Sequence, residues 1–333
     1  MNGKPHKNSN TEHIVARKAN RLPREVWLAA ISLKELWPVR SVEKRMKDVL
    51  GRMESVYAFE PDIICLPEMV NVSWVTIPKV LEEIAEDEVI HGPITSMIAK
   101  VAREQQCYVV CPIITKKDGR FYNSSILLNR QGKTAGIFHK IHTLISEITP
   151  DDHFKGKGIT PGSDQPEVYR TDFGTIGMQI CADAEWTDGW RSLKKDGAEI
   201  VCFSSQDPHA AHLSNRAWVN NYYILSATGG DARIVDITGD TIASDGQFAR
   251  WVCAPVNLEK EFIYLWPHVN KFRRIQRQYK RKVRFRIYHP ENWAVIESND
   301  ASVKVADILK EFDIPTFREQ IAEAEMIQNK MRR

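Results

Sequence analysis

Cys181 closes an apolar run, Thr175-Ile176-Gly177-Met178-Gln179-Ile180, and is followed by Ala182-Asp183. Two other segments share the design. Pro61-Asp62-Ile63-Ile64-Cys65-Leu66-Pro67 delivers Glu68, and Gly136-Ile137-Phe138-His139 delivers Lys140 ahead of Ile141-His142. A thiol, an acid and an amine at strand ends can serve as nucleophile, base and electrophilic stabiliser in attack on a carbonyl or nitrile carbon. A cysteine reacts as its thiolate, so it needs a nearby base or a positive field. Glu68 can take the thiol proton and later return one to a leaving amine, while Lys140 stays cationic and holds the oxyanion beside the backbone N–H of Ala182. Such a set needs no histidine, metal or organic cofactor. A cysteine in an apolar run is by itself an ordinary buried thiol. A strand that ends in a charge is different, because the charge is costly unless it meets a partner. The three segments together point to a cysteine hydrolase acting on carbon–nitrogen bonds.

The elements that must position these residues read as an alternation of helices and apolar strands, hence an α/β layered domain. At 333 residues and 43% hydrophobic, the chain can bury a substantial core. Val26 to Ile31 is a continuous apolar run, as in a strand covered on both faces. Helical spacing follows over 42–57 (Val42, Met46, Val49, Leu50, Met53), and Gly92-Pro93 opens a second helix with proline in its first turn. Strands are expected over 107–114, 121–130 and 133–138, with turns at Asp118-Gly119 and Gln131-Gly132. The segment 143–164 is irregular and long for a connection, which marks it as a candidate functional loop. Strands at 166–172 and 174–181, a helix near 187–196, a strand at 198–203, a helix near 211–223 and short strands over 224–256 complete the domain.

The termini differ from this pattern. Residues 1–24 are polar and basic and read as a flexible arm. Residues 258–333 form an extension with helices expected near 302–312 and 315–331, a candidate oligomerisation element. Within it, Lys271 to Arg286 carries nine Lys or Arg among sixteen residues and no acid. Val283, Phe285 and Ile287 alternate there with Lys282, Arg284 and Arg286, as in a strand with one charged face. Nucleic-acid binding is not favoured, since the formal net charge is only +3 and no binding motif accompanies the stretch. The expected partners of these charges are acidic helix residues such as Glu319, Glu323 and Glu325. No apolar run is long enough for a membrane span, and no signal peptide is legible. Six scattered cysteines within apolar runs suit reduced thiols in a cytoplasmic protein. Cys107 and Cys111 have no second Cys/His pair at zinc spacing, so no metal is expected.

The motifs resemble those of the nitrilase, or carbon–nitrogen hydrolase, superfamily. That family carries a hydrophobic-Pro-Glu strand end, a Lys-x-His segment and Gly-x-x-Ile-Cys. Here these are Leu66-Pro67-Glu68, Lys140-Ile141-His142 and Gly177-Met178-Gln179-Ile180-Cys181. Tyr122-Asn123-Ser124-Ser125, Pro161-Gly162 and Arg216-Ala217 through Asn220-Asn221 are further matches, and the resemblance spans about residues 25–257. It implies a four-layer α-β-β-α sandwich, here with a C-terminal extension, and pairing of subunits into a dimer or a higher homo-oligomer. By analogy alone, the extension could cross to a neighbouring subunit. It also implies Glu68, Lys140 and Cys181 as catalytic residues, with a second glutamate orienting the lysine. Glu147, seven residues after Lys140, is the candidate for that role, although its surroundings lack the usual proline-containing pattern; Asp151 and Asp152 are alternatives.

Around this core, Ala182, Asn123, His142, Glu185 and Gln206 are expected to bind substrate or support the site, and His209 and His212 are candidate pocket-lining residues. The residues after the nucleophile bear on the substrate. Nitrile-cleaving relatives usually have Trp-Glu there, whereas Ala182-Asp183 leans toward amides. Trp186 and Trp190-Arg191 are similar to the D-carbamoylase branch, but the arginines that grip a carboxylate in that branch correspond to Ala184 and Glu185. The expected activity is hydrolysis of a linear amide or N-carbamoyl compound through a thioester. The alternatives are a nitrilase and a catalytically silent scaffold of the same fold.

Overall fold

The structure is a computed structural model that describes residues 22–34, 41–72 and 79–333. Most of the arm expected over 1–24 therefore lies outside the described residues. Two mixed sheets dominate. The first runs, neighbour to neighbour, Trp251–Asn257, Glu25–Ile31, Ile63–Cys65, Tyr108–Lys117, Arg120–Leu128 and Thr134–His139, with the short strand Glu86–Asp87 also beside Tyr108–Lys117. The second runs Thr241–Asp245, Ala232–Val235, Tyr223–Thr228, Ile200–Ser205, Thr175–Ile180 and Tyr169–Arg170. Each sheet has three mutually parallel strands at its centre and antiparallel strands outside them, except that the short Glu86–Asp87 runs parallel to Tyr108–Lys117.

The period-two geometry of strands sorts the side chains into layers. Leu28, Ala30, Ile63 and Val110 of the first sheet meet Ile176, Met178, Ile200, Cys202 and Leu225 of the second in one dry core. Their neighbours point the other way. Ala29, Ile31, Ile64 and Val109 pack under the helices Val42–Tyr57 and Pro93–Glu104. Val201, Phe203 and Ile224 pack under the helices Asp188–Lys195 and Ala210–Asn220. The result is the α-β-β-α sandwich. Continuous apolar runs were needed because these central strands are covered on both faces. The hairpin after Lys117 turns through Asp118 (φ 50°) and Gly119 (φ 73°), the left-handed pair that a two-residue hairpin requires.

The C-terminal extension differs from the sequence expectation. Lys260–Tyr264, Trp293–Ser298 and Val283–Tyr288 form a third, antiparallel sheet, of which only the last strand was expected. Most of the basic stretch is a helix, Val269–Tyr279, held by Phe272 and Ile275 at three-residue spacing against Ile296, Val305 and Ile308. The partners of the basic strand also differ. Arg284 pairs with Glu297 (2.6 Å), Arg286 with Asp240 (3.0 Å) and Lys282 with Asp300 (3.2 Å). Glu319 instead caps its own helix at Thr316, because a capping box satisfies local backbone donors first.

The extension packs on its own chain. Trp218, from the helix Ala210–Asn220, stacks on Trp293 (4.6 Å between ring centroids) and meets Phe262 edge-on (5.7 Å). Among the described residues, no helix is long and apolar enough to cross a membrane. Phe262 is fully buried in the inter-sheet core, so Phe262→Ala should cost about 3–5 kcal/mol. Urea denaturation measures this, and one shared transition is expected for the extension and the sandwich. A loss below about 1 kcal/mol would show that the extension is not integral to the core.

Candidate active site

The chemistry-bearing residues gather at the carboxyl ends of the central parallel strands, where α/β folds leave a crevice. Glu68 lies three residues beyond Ile63–Cys65, Cys181 directly follows Thr175–Ile180, and Gln206 directly follows Ile200–Ser205. Lys140 follows Thr134–His139, and its N–H continues the ladder by donating to the Asn123 carbonyl (2.8 Å).

Lys140 is 1% exposed, and its Nζ donates to Glu147 Oε2 (2.7 Å) and Glu68 Oε1 (3.3 Å). Asn123 Nδ2 spans the two acids, donating to Glu68 Oε1 (2.8 Å) and Glu147 Oε1 (3.3 Å). Gln206 fixes Glu68 twice, through its backbone N–H to Oε2 (3.1 Å) and through Nε2 to the Glu68 carbonyl (2.7 Å). Glu147 is carried on a single helical turn, Ile145–Ile148, inside the segment read as irregular. The Leu144 N–H donates to Glu147 Oε2 (2.8 Å), so the turn is closed by the carboxylate that also holds the lysine. Asp151 and Asp152 are exposed, and Asp151 accepts from the Gly156 N–H (2.9 Å); neither bonds to Lys140.

The electrostatics follow from burial. Burial alone would lower the Lys140 ammonium, but the charges of Glu68 and Glu147 outweigh it and raise the group above its ordinary 10.5. Burial raises the Glu68 carboxyl above its ordinary 4.5; Lys140 pulls against this and Glu147 pushes with it. Burial also pushes the Cys181 thiol up to about 12, helped by the Glu68 charge and opposed by Lys140 and the Ser205 hydroxyl. At neutral pH the resting cysteine is thus a thiol. It needs a base that takes its proton, and a carboxyl with raised proton affinity is matched to that task.

Cys181 has a left-handed backbone (φ 46°), which costs a non-glycine residue about 1–3 kcal/mol unless its surroundings impose it. Asp183 imposes it. Fully buried, it accepts the Ile180 N–H at Oδ2 (3.0 Å) and both the His142 N–H (2.8 Å) and ring Nδ1 (2.9 Å) at Oδ1. The Trp190 indole N–H donates to its carbonyl (2.7 Å). Sequence reasoning weighed Asp183 only as a clue to substrate. Its position two residues past the nucleophile was the available signal for an anchor of the turn.

His142 lies against Trp186, ring on ring at 4.3 Å and 4°, and bonds to Asp183 rather than to Glu68 or Lys140. Ala182 is buried in the turn Cys181–Ala184, and Ala184 is fully buried. Glu185 lies beside His209 and His212, its Oε1 3.7 Å and 3.3 Å from their Nδ1 atoms. Asp183→Asn retains the shape but cannot accept at both positions, so one donor loses its partner. The expected loss is about 1–3 kcal/mol in chemical denaturation, with altered alkylation of Cys181. Unchanged stability and labelling would remove Asp183 as the anchor.

A family model described as carbon-nitrogen hydrolase matches residues 28–260. Among curated proteins, the chain is 26% identical over 163 residues to a deaminated glutathione amidase of Synechocystis, covering 43% of this chain and 60% of that protein. It is 25% identical over 217 residues to the omega-amidase NIT2 of Xenopus tropicalis, covering 59% of this chain and 77% of that protein. The chain thus spans about 60% of the length of the Synechocystis amidase it matches. Two solved structures share the fold. A carbon-nitrogen hydrolase from Helicobacter pylori G27 aligns with a TM-score of 0.60 at 15% identity, over 77% of this chain and 93% of that one. Saccharomyces cerevisiae Nit3, a member of branch 10 of the nitrilase superfamily, aligns with a TM-score of 0.59 at 17% identity, over 77% and 96%. With the family model spanning most of its length and the sandwich in place, the chain belongs to the carbon–nitrogen hydrolase family of the nitrilase superfamily.

Proposed function

We propose that this protein is an amidase-type hydrolase that cleaves a non-peptide carbon–nitrogen bond through a thioester on Cys181. One observation carries the reading: a fully buried lysine is clamped between Glu68 and Glu147 beside a thiol at a strained strand end. A buried ammonium with two carboxylates also occurs at Lys260, between Asp236 and Glu297; what sets Lys140 apart is the thiol of Cys181, whose charge acts on the same ammonium.

In this mechanism Glu68 takes the Cys181 proton as the sulfur attacks the amide carbon. A C–S bond forms, and the carbonyl electrons move to oxygen. Lys140 Nζ and the Ala182 N–H hold that oxyanion. Protonated Glu68 then gives its proton to the nitrogen, the C–N bond breaks, and ammonia or an amine leaves. Water attacks the thioester with its proton passing to Glu68, the C–S bond breaks, and the acid is released. The thiolate regains its proton from Glu68. Glu147 keeps Lys140 oriented through both halves and assists the water with Glu68 as a second catalytic carboxylate.

The relatives named as amidases favour amides over nitriles, in line with Ala182-Asp183. A carboxylate-bearing carbamoyl substrate is disfavoured because Ala184 is buried and Glu185 carries the wrong charge to grip it. Subunit pairing belongs to the same reading, supported by Trp266, Ile321, Ile327 and Met331 exposed on the extension. The cytoplasmic setting stays part of the proposal, supported by six free cysteines.

Short aliphatic amides paired with their nitriles should give turnover of the amide, with an acyl adduct on Cys181 seen by mass spectrometry and lost in Cys181→Ala. Turnover of nitriles alone would overturn the amidase reading, and absence of any adduct across a broad amide panel would favour the silent scaffold. The pH profile makes a separate prediction. Activity requires unprotonated Glu68, whose proton affinity is raised, so kcat/KM should fall as pH drops through a value above 4.5. Glu68→Gln should lower kcat by about 100-fold or more and abolish that acid limb. An acid limb that persists in Glu68→Gln would assign the titration to another group.

A further inference from the structure

Glu185, His209 and His212 bring three ligand atoms within 4.8 Å of one another, and none of the three bonds to Glu68, Lys140 or Glu147. His212 Nδ1 lies 3.3 Å and His209 Nδ1 3.7 Å from the same oxygen, Glu185 Oε1. A tetrahedral ion with bonds of about 2.0–2.1 Å to nitrogen and oxygen sets its ligand atoms about 3.3 Å apart. The two separations from Glu185 Oε1 thus already approach the edge length of such a tetrahedron, and the third lies within 4.8 Å, to be closed by rotamer changes.

The backbone under these side chains is fixed independently of any ion. The Glu185 N–H donates to the Ala182 carbonyl (3.0 Å), and Arg216 Nη2 donates to the Ala184 carbonyl (2.9 Å), tying the segment after the nucleophile to the helix Ala210–Asn220. His209 precedes that helix in a left-handed conformation (φ 48°), its ring set edge-on against Phe203 (5.7 Å) and beside His212 (5.9 Å, 27°). His209, just before the helix, and His212, in its first turn, both reach the same Glu185 oxygen.

The geometry points to a binding site for a divalent transition-metal ion of the zinc class, formed by Glu185, His209 and His212 beside the Cys181 site. Two imidazoles and a carboxylate are a borderline donor set that suits Zn²⁺ or Co²⁺ and discriminates against Mg²⁺ and Ca²⁺, which prefer all-oxygen shells. Three protein ligands leave a fourth position for water or a donor atom of a small molecule. Because Glu185 lies four residues after Cys181 and His209 three after Gln206, the ion would fasten together two segments that flank the nucleophile. The site takes no part in the proposed thioester chemistry and stands or falls separately from it.

Co²⁺ is the probe, added to the full chain after chelator treatment and read by its visible absorption, with Zn²⁺ competition followed calorimetrically. One Co²⁺ per chain is expected, with ligand-field bands and no sulfur-to-metal charge-transfer band, displaced by Zn²⁺ and retained in Cys181→Ala. Glu185→Gln and His212→Ala change half-exposed side chains that should not disturb folding, and each should weaken binding by at least about tenfold. Binding that is unchanged in both variants, lost in Cys181→Ala, or absent at millimolar Co²⁺ would overturn the site.

Discussion

The ammonium of Lys140, sealed from water between Glu68 and Glu147, is the interaction on which the rest of the site depends. A cation of this kind inside a protein loses its hydration, and only close, well-oriented anions offset that loss. Two carboxylates against one ammonium leave an excess negative charge in a dry pocket. That excess, with burial, is what raises the proton affinity of Glu68. Asn123 and Gln206 then fix where the Glu68 oxygens lie, as the proposed role of Glu68 as base requires. Ionic and geometric requirements meet in one cluster: moving any member would strand a buried charge.

The two sheets bring this cluster to the Cys181 thiol. Their central strands are parallel within each sheet and pack face to face through one core, so residues leaving the carboxyl ends converge although they are far apart in sequence. Glu68 comes from the first sheet and Cys181 from the second. Gln206, also from the second, reaches back to Glu68 across the seam. The left-handed backbone at Cys181 is tolerated because Asp183 and its three donors leave the turn no relaxed alternative. Gly177, three residues before the last residue of the strand, allows this strand to approach its helix: a Cβ there would lie 2.9 Å from Leu193.

The basic stretch of the extension shows how tertiary contacts can answer a charge pattern. Arg284, Arg286 and Lys282 find acids on the same chain, two of them from the loop Asp236–Asp240 and the strand Trp293–Ser298. The helix Val269–Tyr279 was hidden in the sequence because its arginines outnumber the few apolar residues that hold it down. Phe272 and Ile275 suffice only because a third sheet, itself anchored through Phe262 and Trp293, supplies a surface to cover.

The sequence by itself determined the layered α/β architecture and the three strand-end residues, because both are written locally. Continuous apolar runs signal strands buried on both faces, and a charge or thiol at the end of such a run is visible without knowing its neighbours. The family resemblance also brought Glu147 forward as a second glutamate, with Asp151 and Asp152 as alternatives. That choice needed the helical turn Ile145–Ile148, whose closure depends on the lysine it serves. Tertiary structure alone decided that Asp183 anchors the Cys181 turn, that Gln206 orients Glu68 and that Glu185 meets His209 and His212. Each of these depends on segments separated by tens of residues meeting across a packed seam, and no local pattern records which of several polar side chains will arrive within hydrogen-bonding distance.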